Sequence, residues 1–515
     1  MSVTPLDPIS NLPREKDDDK LSFSTIDHQE SETPQKSIIP SMCPMAKTRM
    51  ASDPSNNFLK PFQEFCDRFG LDPTYGSCLD YRTLESLPSE YSWIEELIMR
   101  PDDWRTRKML VKSLEGKSAP QQLPNLTERQ ATRLISATFH MINVYLFCRE
   151  DPDTHPQTVP APLAVPHVQA CKLLRLQKLS LGFSHMFASW KLNDPNGSPY
   201  DLRNYGANVS FTDSEGDRVF NGLSLILTFH LQKVNSMLFE ASARICRHQF
   251  DGVAAQLRVA TAFLDGFIPQ MKTMFSALTV DYFMNHYRFF LQGFDDTAVF
   301  PRGVAFAGTD VVARSTGGSA GGDPCVQIFE RFLGLKFPGV FDSLQDELQL
   351  SFVGRHKDCV QFLEKHHVIR PFLESSPHAT ADMVQAYNEL LEVYAGLFRK
   401  HYGYVHHYLI DKKPEPRDPH SVQGTGGIRA SDLGKKACLI DAFKIQPPCL
   451  RSPISEHVAN IKVKYCIWSP QFTNFTKGSD IKEEESSSPL NKYLHPSMSS
   501  KSPKKISRGC PFGFK

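Results

Sequence analysis

Apolar residues recur every three or four positions in several stretches of the chain, which is the spacing of a buried helix face. Convincing alternation with a period of two is scarce, so we predict an all-α fold. Two stripes illustrate the helical pattern, one made by Ile135, Phe139, Ile142 and Leu146, the other by Val253, Leu257, Ala260, Leu264 and Phe267.

The longest helical pattern runs from about Thr380 to Ile410. Its apolar residues are three or four positions apart, and this spacing puts His401 on the core face and turns His406 away from it. On spacing alone, a core histidine with a hydrogen-bond partner is favoured over a metal or haem ligand. The helix carries no HExxH motif and no carboxylate partner, which counts against zinc. A single axial histidine on a helix is a common way to hold haem.

Composition divides the chain into four segments. Residues 1–57 are rich in Ser, Pro, Asp and Lys and are predicted to be a disordered extension. Turn-rich residues at 193–210 indicate a boundary between a small helical domain, 58–205, and a larger helical domain, 206–428. Residues 429–515 are predicted to be a divergent and largely disordered tail.

Charge and cysteine content exclude several functional classes. The formal net charge is +1, from 58 basic and 57 acidic residues, so no strong field attracts nucleic acid or an anionic membrane. The 12 cysteines form neither a CxxC motif nor a zinc-type Cys/His pattern. No membrane-spanning segment and no apolar N-terminal leader stand out, so we expect a cytoplasmic protein without nucleic-acid or membrane partners.

Four glycines lie within seven residues in TGGSAGG, residues 316–322. Because glycine lacks a Cβ, the backbone here can approach another group closely. A phosphate is a poor candidate, since the loop continues Asp323-Pro324 where a P-loop has Lys-Ser or Lys-Thr. The sequence of the loop alone does not identify the group that the backbone approaches.

Several separated stretches, in the expected order, resemble the indoleamine 2,3-dioxygenase family of haem enzymes. They are LAVPHVQACKLLRLQKLSLGFSHMFASWKLNDPN (163–196), FTDSEGDRVFNGLSLIL (211–227), YFMNHYRFFLQGF (282–294), GGSAGG (317–322), His401 and GTGG (424–427). The resemblance covers roughly residues 58–428. It implies that the larger helical domain is a bundle enclosing haem.

The resemblance also implies the roles of individual residues. His401 would be the proximal ligand of the haem iron, and the glycine loop would lie along the haem and the substrate. Ser224, Phe220 and Arg288 match positions at the reacting end of the pocket. The implied haem contacts are His401, Gly317, Gly318 and Ser319, and the implied substrate contacts are Phe220, Phe283, Arg288, Gly318, Ser319, Ala320, Thr425 and Gly426.

The family's reaction joins L-tryptophan and O₂ to give N-formyl-L-kynurenine, the first step of the kynurenine pathway toward NAD. One haem b per chain, ferrous in the active form, an electron donor and a monomeric state are therefore expected. An oxygen-binding or oxygen-sensing protein on the same fold is the alternative. Two departures from the family pattern stand out: Phe398 replaces an arginine three residues before His401, and the short helix expected after Gly427 is not recognisable.

Overall fold

Helices make up most of the residues that the structure describes, as the hydrophobic spacing predicts. The computed structural model describes residues 59–78, 85–120, 123–147, 155–177, 179, 187–296, 299–411, 423–424 and 426–447. Its α-helices are α1 (Leu59–Phe69), α2 (Ser92–Ile98), α3 (Arg107–Leu114), α4 (Glu128–Phe147), α5 (Ala161–Leu173), α6 (Glu215–Cys246), α7 (Val253–Phe267), α8 (Thr273–Ala277), α9 (Val280–Tyr282), α10 (Pro324–Phe332), α11 (Val340–Gln349), α12 (Gly354–His366), α13 (Ile369–Ser375), α14 (Ala381–Val405) and α15 (Ala430–Ala442).

Short strands and tighter or wider helical turns complete the fold. The strands are β1 (Thr158–Val159), β2 (Trp190–Leu192), β3 (Tyr205–Ala207), β4 (Val304–Phe306) and β5 (Val312–Ala313). β4 lies between β1, to which it is parallel, and β5, to which it is antiparallel, while β2 and β3 form an antiparallel pair. Two π-helical turns, Phe283–Tyr287 and His406–Ile410, extend α9 and α14.

The two longest helices begin at side-chain caps. The Ser214 hydroxyl accepts a hydrogen bond from the Asp217 backbone N–H at 3.0 Å and starts α6. Thr380 accepts one from the Met383 N–H at 3.3 Å and starts α14. Such caps satisfy backbone donors that the first helical turn leaves without partners.

Helix α14 packs on α7 and α15, and α6 packs on α7 and α10. The predicted stripes supply these and neighbouring contacts, because every residue of both stripes is buried, to 3 % exposure or less. The predicted helix over 380–410 is confirmed as α14 followed by its π-helical turn. Helices α6, α7, α14 and α15 together surround a large apolar cavity.

The structure corrects the predicted start of the C-terminal tail. Residues 430–442 form α15, and its buried face includes Leu433, Ala437 and Ile440. A disordered tail starting at 429 is therefore wrong for this segment. Residues 1–57 and 448–515 lie outside the described residues, so disorder there stays a prediction.

The boundary proposed near residue 205 also stays a prediction. All described residues belong to one unit that spans residues 43–515, so a division into a small and a large helical domain is not shown. No helix within the described ranges combines the length and the apolar character that crossing a membrane requires.

Candidate functional site

A large cavity lies between α6, α7, α14 and α15. It has a volume of about 1820 Å³, including the part that opens to solvent. Its lining residues come from several helices and from both glycine-rich segments. Most of its wall is apolar and includes Leu223, Leu227, Leu231, Phe267, Met271, Met274, Leu291, Phe341, Leu344, Leu348, Leu397, Phe398, Leu409 and Ile428.

The imidazole of His401 lines this cavity from α14, as its helical spacing predicts. The side chain is partly exposed, and the cavity is the space that it faces. Burial and, to a smaller extent, the positive charge of Lys436 lower the pKa of His401 to about 4. The ring is therefore neutral near pH 7, the form in which an imidazole nitrogen binds a metal.

A metal at His401 needs its other ligands from elsewhere. In the described part of the chain, no group of three or more His, Cys, Asp or Glu side chains is placed to hold a metal ion. One neutral imidazole in an apolar cavity instead suits a metal that arrives with its own planar ligand, as the iron of haem does. The donor set and the walls therefore fit haem.

A buried ion pair lies on the same side of the cavity as His401. Lys436 of α15 contacts Glu330 of α10, with 2.8 Å between Nζ and the carboxylate, and Glu330 is fully buried. The Tyr394 hydroxyl donates to the same carboxylate at 2.6 Å, and the Gln345 side-chain amide donates to it as well. Three donors thus hold one buried carboxylate, which is the condition for burying such a charge.

Lys436 also explains how the chain accommodates Phe398, one of the two departures from the family pattern. Its ammonium lies 4.4 Å from the centroid of the Phe398 ring, within the range of a cation–π contact. The positive charge beside Phe398 therefore comes from α15, the helix that the sequence did not reveal. It does not come from α14, the helix that carries His401.

Aromatic rings of two elements meet on the other side of the cavity. Phe220 of α6 and Phe283 of the π-helical turn both line it, with ring centroids 5.7 Å apart. Ser224 lines it one turn after Phe220, and its hydroxyl is 3.4 Å from the Phe220 carbonyl oxygen. A second small ligand would meet apolar faces and one hydroxyl here.

Arg288 brings a positive charge to the same region of the cavity. It follows the π-helical turn directly and is half-buried. Its Nη2 donates to the carbonyl oxygen of Gln423 at 3.1 Å. Gln423 pairs with Arg429 through a β-bridge, and its amide donates to the Gly427 carbonyl at 2.8 Å. Arg288 therefore contacts the segment that leads into α15.

The glycine-rich loop lies on the residues that follow Arg288. The Gly318 N–H donates to the Leu291 carbonyl at 3.1 Å, and the Phe294 N–H donates to the Ser315 carbonyl at 2.7 Å. A Cβ on Gly293 would lie 2.1 Å from the Ser315 carbonyl oxygen, so only glycine fits. The sequence did not identify the group that the glycine loop approaches. In the structure, this group is in part the backbone of the segment that follows Arg288.

The rest of the loop faces the cavity and the second glycine segment. Gly318 and Ser319 line the cavity, whereas Gly317 is buried and is not among the lining residues. Ala320 lies in the helical turn Ala320–Gly322. Gly426 also lines the cavity, and a Cβ on it would lie 2.3 Å from the Ser319 Cβ. Thr425 lies outside the described residues.

The structure thus brings most of the residues singled out in the sequence to one cavity. His401, Phe220, Phe283, Ser224, Arg288, Gly318, Ser319 and Gly426 line it. Neither His406 nor His407 does; their rings pack against Tyr402 and Phe275. Sequence reasoning missed Lys436 and Glu330. The apolar spacing of Ala430, Leu433, Ala437 and Ile440 could have revealed α15, but no local pattern marks a lysine as buried.

Comparison with known proteins adds to what the cavity shows. A search of curated protein sequences finds no significant match to the chain. A family model described as indoleamine 2,3-dioxygenase matches residues 65–437, which include all the described cavity residues and reach into α15. Members of that family are haem-dependent enzymes that cleave tryptophan. The chain belongs to the indoleamine 2,3-dioxygenase family.

Proposed function

We propose that this protein is a haem-dependent dioxygenase that cleaves the indole C2–C3 bond of L-tryptophan with O₂ to give N-formyl-L-kynurenine. The observation that carries the proposal is one apolar cavity lined both by a neutral imidazole, His401, and by a guanidinium, Arg288. A haem ligand alone would suit an oxygen carrier. A cationic group beside aromatic walls suits a substrate that has an aromatic ring and a carboxylate.

His401 would hold the haem iron through the imidazole nitrogen that faces the cavity. Gly318 and Ser319, which line the cavity, would lie along the cofactor, where glycine allows the backbone a close approach, and Gly317 would support them from the buried side. When bound, haem supplies the redox chemistry by which both atoms of O₂ are added to the indole. One haem b per chain, kept ferrous by an external electron donor, completes this part of the proposal.

The remaining cavity residues would bind and orient the amino acid. Phe220 and Phe283 would hold the indole between apolar faces, and Arg288 would pair with the carboxylate through two parallel hydrogen bonds. Ser224 would place a small hydroxyl near the reacting atoms. The backbone and side chains of Gly318, Ser319, Ala320, Thr425 and Gly426 would line the rest of the substrate.

Arg288 would have to change partners when substrate binds. Its Nη2 donates to the Gln423 carbonyl, and a carboxylate is the stronger acceptor for a guanidinium. Binding would therefore draw Arg288 from the segment before Gly426 toward the ligand, while Ser319 and Gly426 remain close enough to exclude water. Enclosure of this kind strengthens every polar contact inside the cavity.

None of the described residues that line the cavity offers a carboxylate as a general base. Among its lining residues in the described ranges, the ionisable side chains are His401, Arg288, Lys436 and three tyrosines, and His401 is the residue assigned to the metal. A reaction whose protein contribution is binding, orientation and exclusion of water fits this lining better than one that starts with proton removal by a side chain.

We place the reaction at the entry to the kynurenine pathway, which leads toward NAD, in a cytoplasmic and monomeric enzyme. The test is turnover of L-tryptophan by the purified full chain with haem, ascorbate and methylene blue. The proposal expects N-formyl-L-kynurenine, and a Soret band that shifts when tryptophan is added. A Soret band without shift or turnover would indicate an oxygen-binding or sensing protein, and no Soret band would rule out both functions.

A further inference from the structure

A chain of buried hydrogen bonds lies behind the aromatic side of the cavity. The hydroxyl of Tyr287, which is fully buried, donates to the Asn221 side-chain carbonyl at 2.9 Å. The Asn221 amide donates to the carboxylate of Asp217, which is 1 % exposed. The other Asp217 oxygen accepts from the Thr212 N–H and hydroxyl at 3.1 and 3.2 Å, and the Tyr282 hydroxyl donates to the Thr212 hydroxyl at 2.7 Å.

Both ends of this chain and one of its inner members adjoin residues assigned to the substrate. Asn221 follows Phe220 on α6, Tyr287 precedes Arg288, and Tyr282 precedes Phe283. The rings of Tyr287 and Phe220 also touch edge to face, with centroids 5.3 Å apart. The hydrogen bonds therefore connect the backbone that carries one aromatic wall to the backbone that carries the second wall and the guanidinium.

The element that carries Arg288 needs such an outside support. Its backbone passes from α-helix (Val280–Tyr282) to a π-helical turn (Phe283–Tyr287) and then to a 3₁₀ turn (Arg288–Leu291). Each change alters the number of residues per turn, so no single repeating ladder of backbone hydrogen bonds sets the direction of the next side chain. Tyr287 lies where the π-helical turn meets the 3₁₀ turn, and its hydroxyl fixes that junction against α6.

We infer that Tyr287, Asn221 and Asp217 are positioning residues that set the separation between Phe220 and Arg288, and thereby select amino acids by the distance from ring to carboxylate. The inference deepens the proposed function and rests on it. The affinity for an aromatic ligand without a carboxylate would not depend on this separation, because such a ligand does not pair with Arg288.

The test compares Tyr287→Phe with the parent chain, both full length and loaded with haem. The substitution removes one hydroxyl and keeps the ring. Haem content and the resting Soret band should be unchanged. The L-tryptophan concentration that gives half of the spectral shift should rise roughly three- to tenfold, the size expected for one lost buried hydrogen bond. Half-saturation by indole, which has no carboxylate, should stay within about twofold.

Tyr387→Phe is the matched control. Tyr387 is also fully buried, and its hydroxyl donates to the Leu333 carbonyl at 2.8 Å, away from the cavity lining. It should lower the melting temperature as Tyr287→Phe does but leave half-saturation by tryptophan unchanged. Unchanged half-saturation in Tyr287→Phe, or an equal change for indole or in the control, would overturn the inference.

Two other results can be distinguished from these: loss of haem from the variant, and a parent protein that does not respond to tryptophan. If Tyr287→Phe does not retain haem, Tyr282→Phe tests the other end of the chain, and a rise of about twofold for tryptophan alone is expected from this more exposed hydrogen bond. No rise there would overturn the inference. A parent protein whose spectrum ignores tryptophan would remove the proposed function, and the inference with it.

Discussion

Two sides of the cavity differ in how their polar groups are held. The His401 side, formed by α14 and α15, is built on regular helices, and no hydrogen bond to the imidazole is found among the described residues. The Arg288 side is built on a helix of changing type and on glycine-rich loops. There, a chain of buried hydrogen bonds supports the backbone on both flanks of the ligand space.

Under the proposed function, the difference follows from what each side would have to do. A single imidazole needs only a rigid helix and an open nitrogen, because its partner is the ligand. Recognition of an amino acid needs two groups at a fixed separation on different elements, and this requires contacts between those elements. We therefore expect substitutions on the His401 side to change cofactor retention and stability, and those on the Arg288 side to change substrate binding with the fold intact.

The largest expected effect is that of His401→Ala. It should abolish stable retention of haem while the far-ultraviolet circular dichroism stays helical, since the cofactor then has only apolar contacts. His406→Ala and His407→Ala serve as controls and should keep the Soret band, because neither residue lines the cavity. A normal Soret band in His401→Ala would show that another residue binds the iron.

Lys436→Met tests whether the His401 side also contributes to stability. It leaves the fully buried Glu330 carboxylate without its cation, which typically costs about 3–5 kcal/mol. Urea denaturation of the full chain should show the loss, and adding Glu330→Gln should recover most of it. If Lys436→Met unfolds at the parent's urea concentration, the ion pair does not stabilise this side.

Arg288→Ala tests the opposite side. A charge-assisted hydrogen bond contributes roughly 1.5–3 kcal/mol, so kcat/KM for L-tryptophan should fall about ten- to hundredfold. Haem binding and urea denaturation should match the parent. Arg288→Lys should recover part of the binding but little of the turnover, since an ammonium lacks the planar fork. Parent-like turnover in Arg288→Ala would mean that this residue does not bind the carboxylate.

Gly426→Ala should give a smaller effect on the same side. Its new methyl group would lie against Ser319, and overpacking of this kind typically costs about 1–3 kcal/mol. We expect the apparent KM for L-tryptophan to rise about fivefold or more, with haem retained. Gly396→Ala is the control: a Cβ at this position of α14 meets open space, so stability should rise by about 1 kcal/mol and KM should not change. An unchanged KM in Gly426→Ala would show that the loop shifts freely.

The two sides of the cavity also differ in how much of each could be predicted from the sequence. Helical spacing alone put His401 on a buried face, and the all-α fold and the 380–410 helix followed from the same signal. Spacing could not separate a core histidine from a ligand, and the proposal that His401 binds haem rests on the family motifs. Phe220, Phe283 and Arg288 were found only through resemblance, because residues brought together by tertiary contacts carry no local period.

Some features could be predicted neither from helical spacing nor from the family resemblance. The apolar spacing of α15 is present, but its glycine and its two adjacent lysines obscured it. The partnership of Lys436 with Glu330 spans more than a hundred positions, and that of Tyr287 with Asn221 joins two elements. Neither leaves a sequence signal, since each partner taken alone resembles an ordinary polar residue of a helix.

The hydrogen bond between Tyr287 and Asn221 has an evolutionary consequence. Neither partner can be replaced alone by an apolar residue without leaving a buried polar group unsatisfied, whereas replacing both by apolar side chains of similar volume is nearly neutral. These two positions should therefore change together among related sequences, as a polar pair or as an apolar pair. Lineages that keep the polar pair would also be expected to keep an acidic residue at the position of Asp217, because the Asn221 amide needs its acceptor.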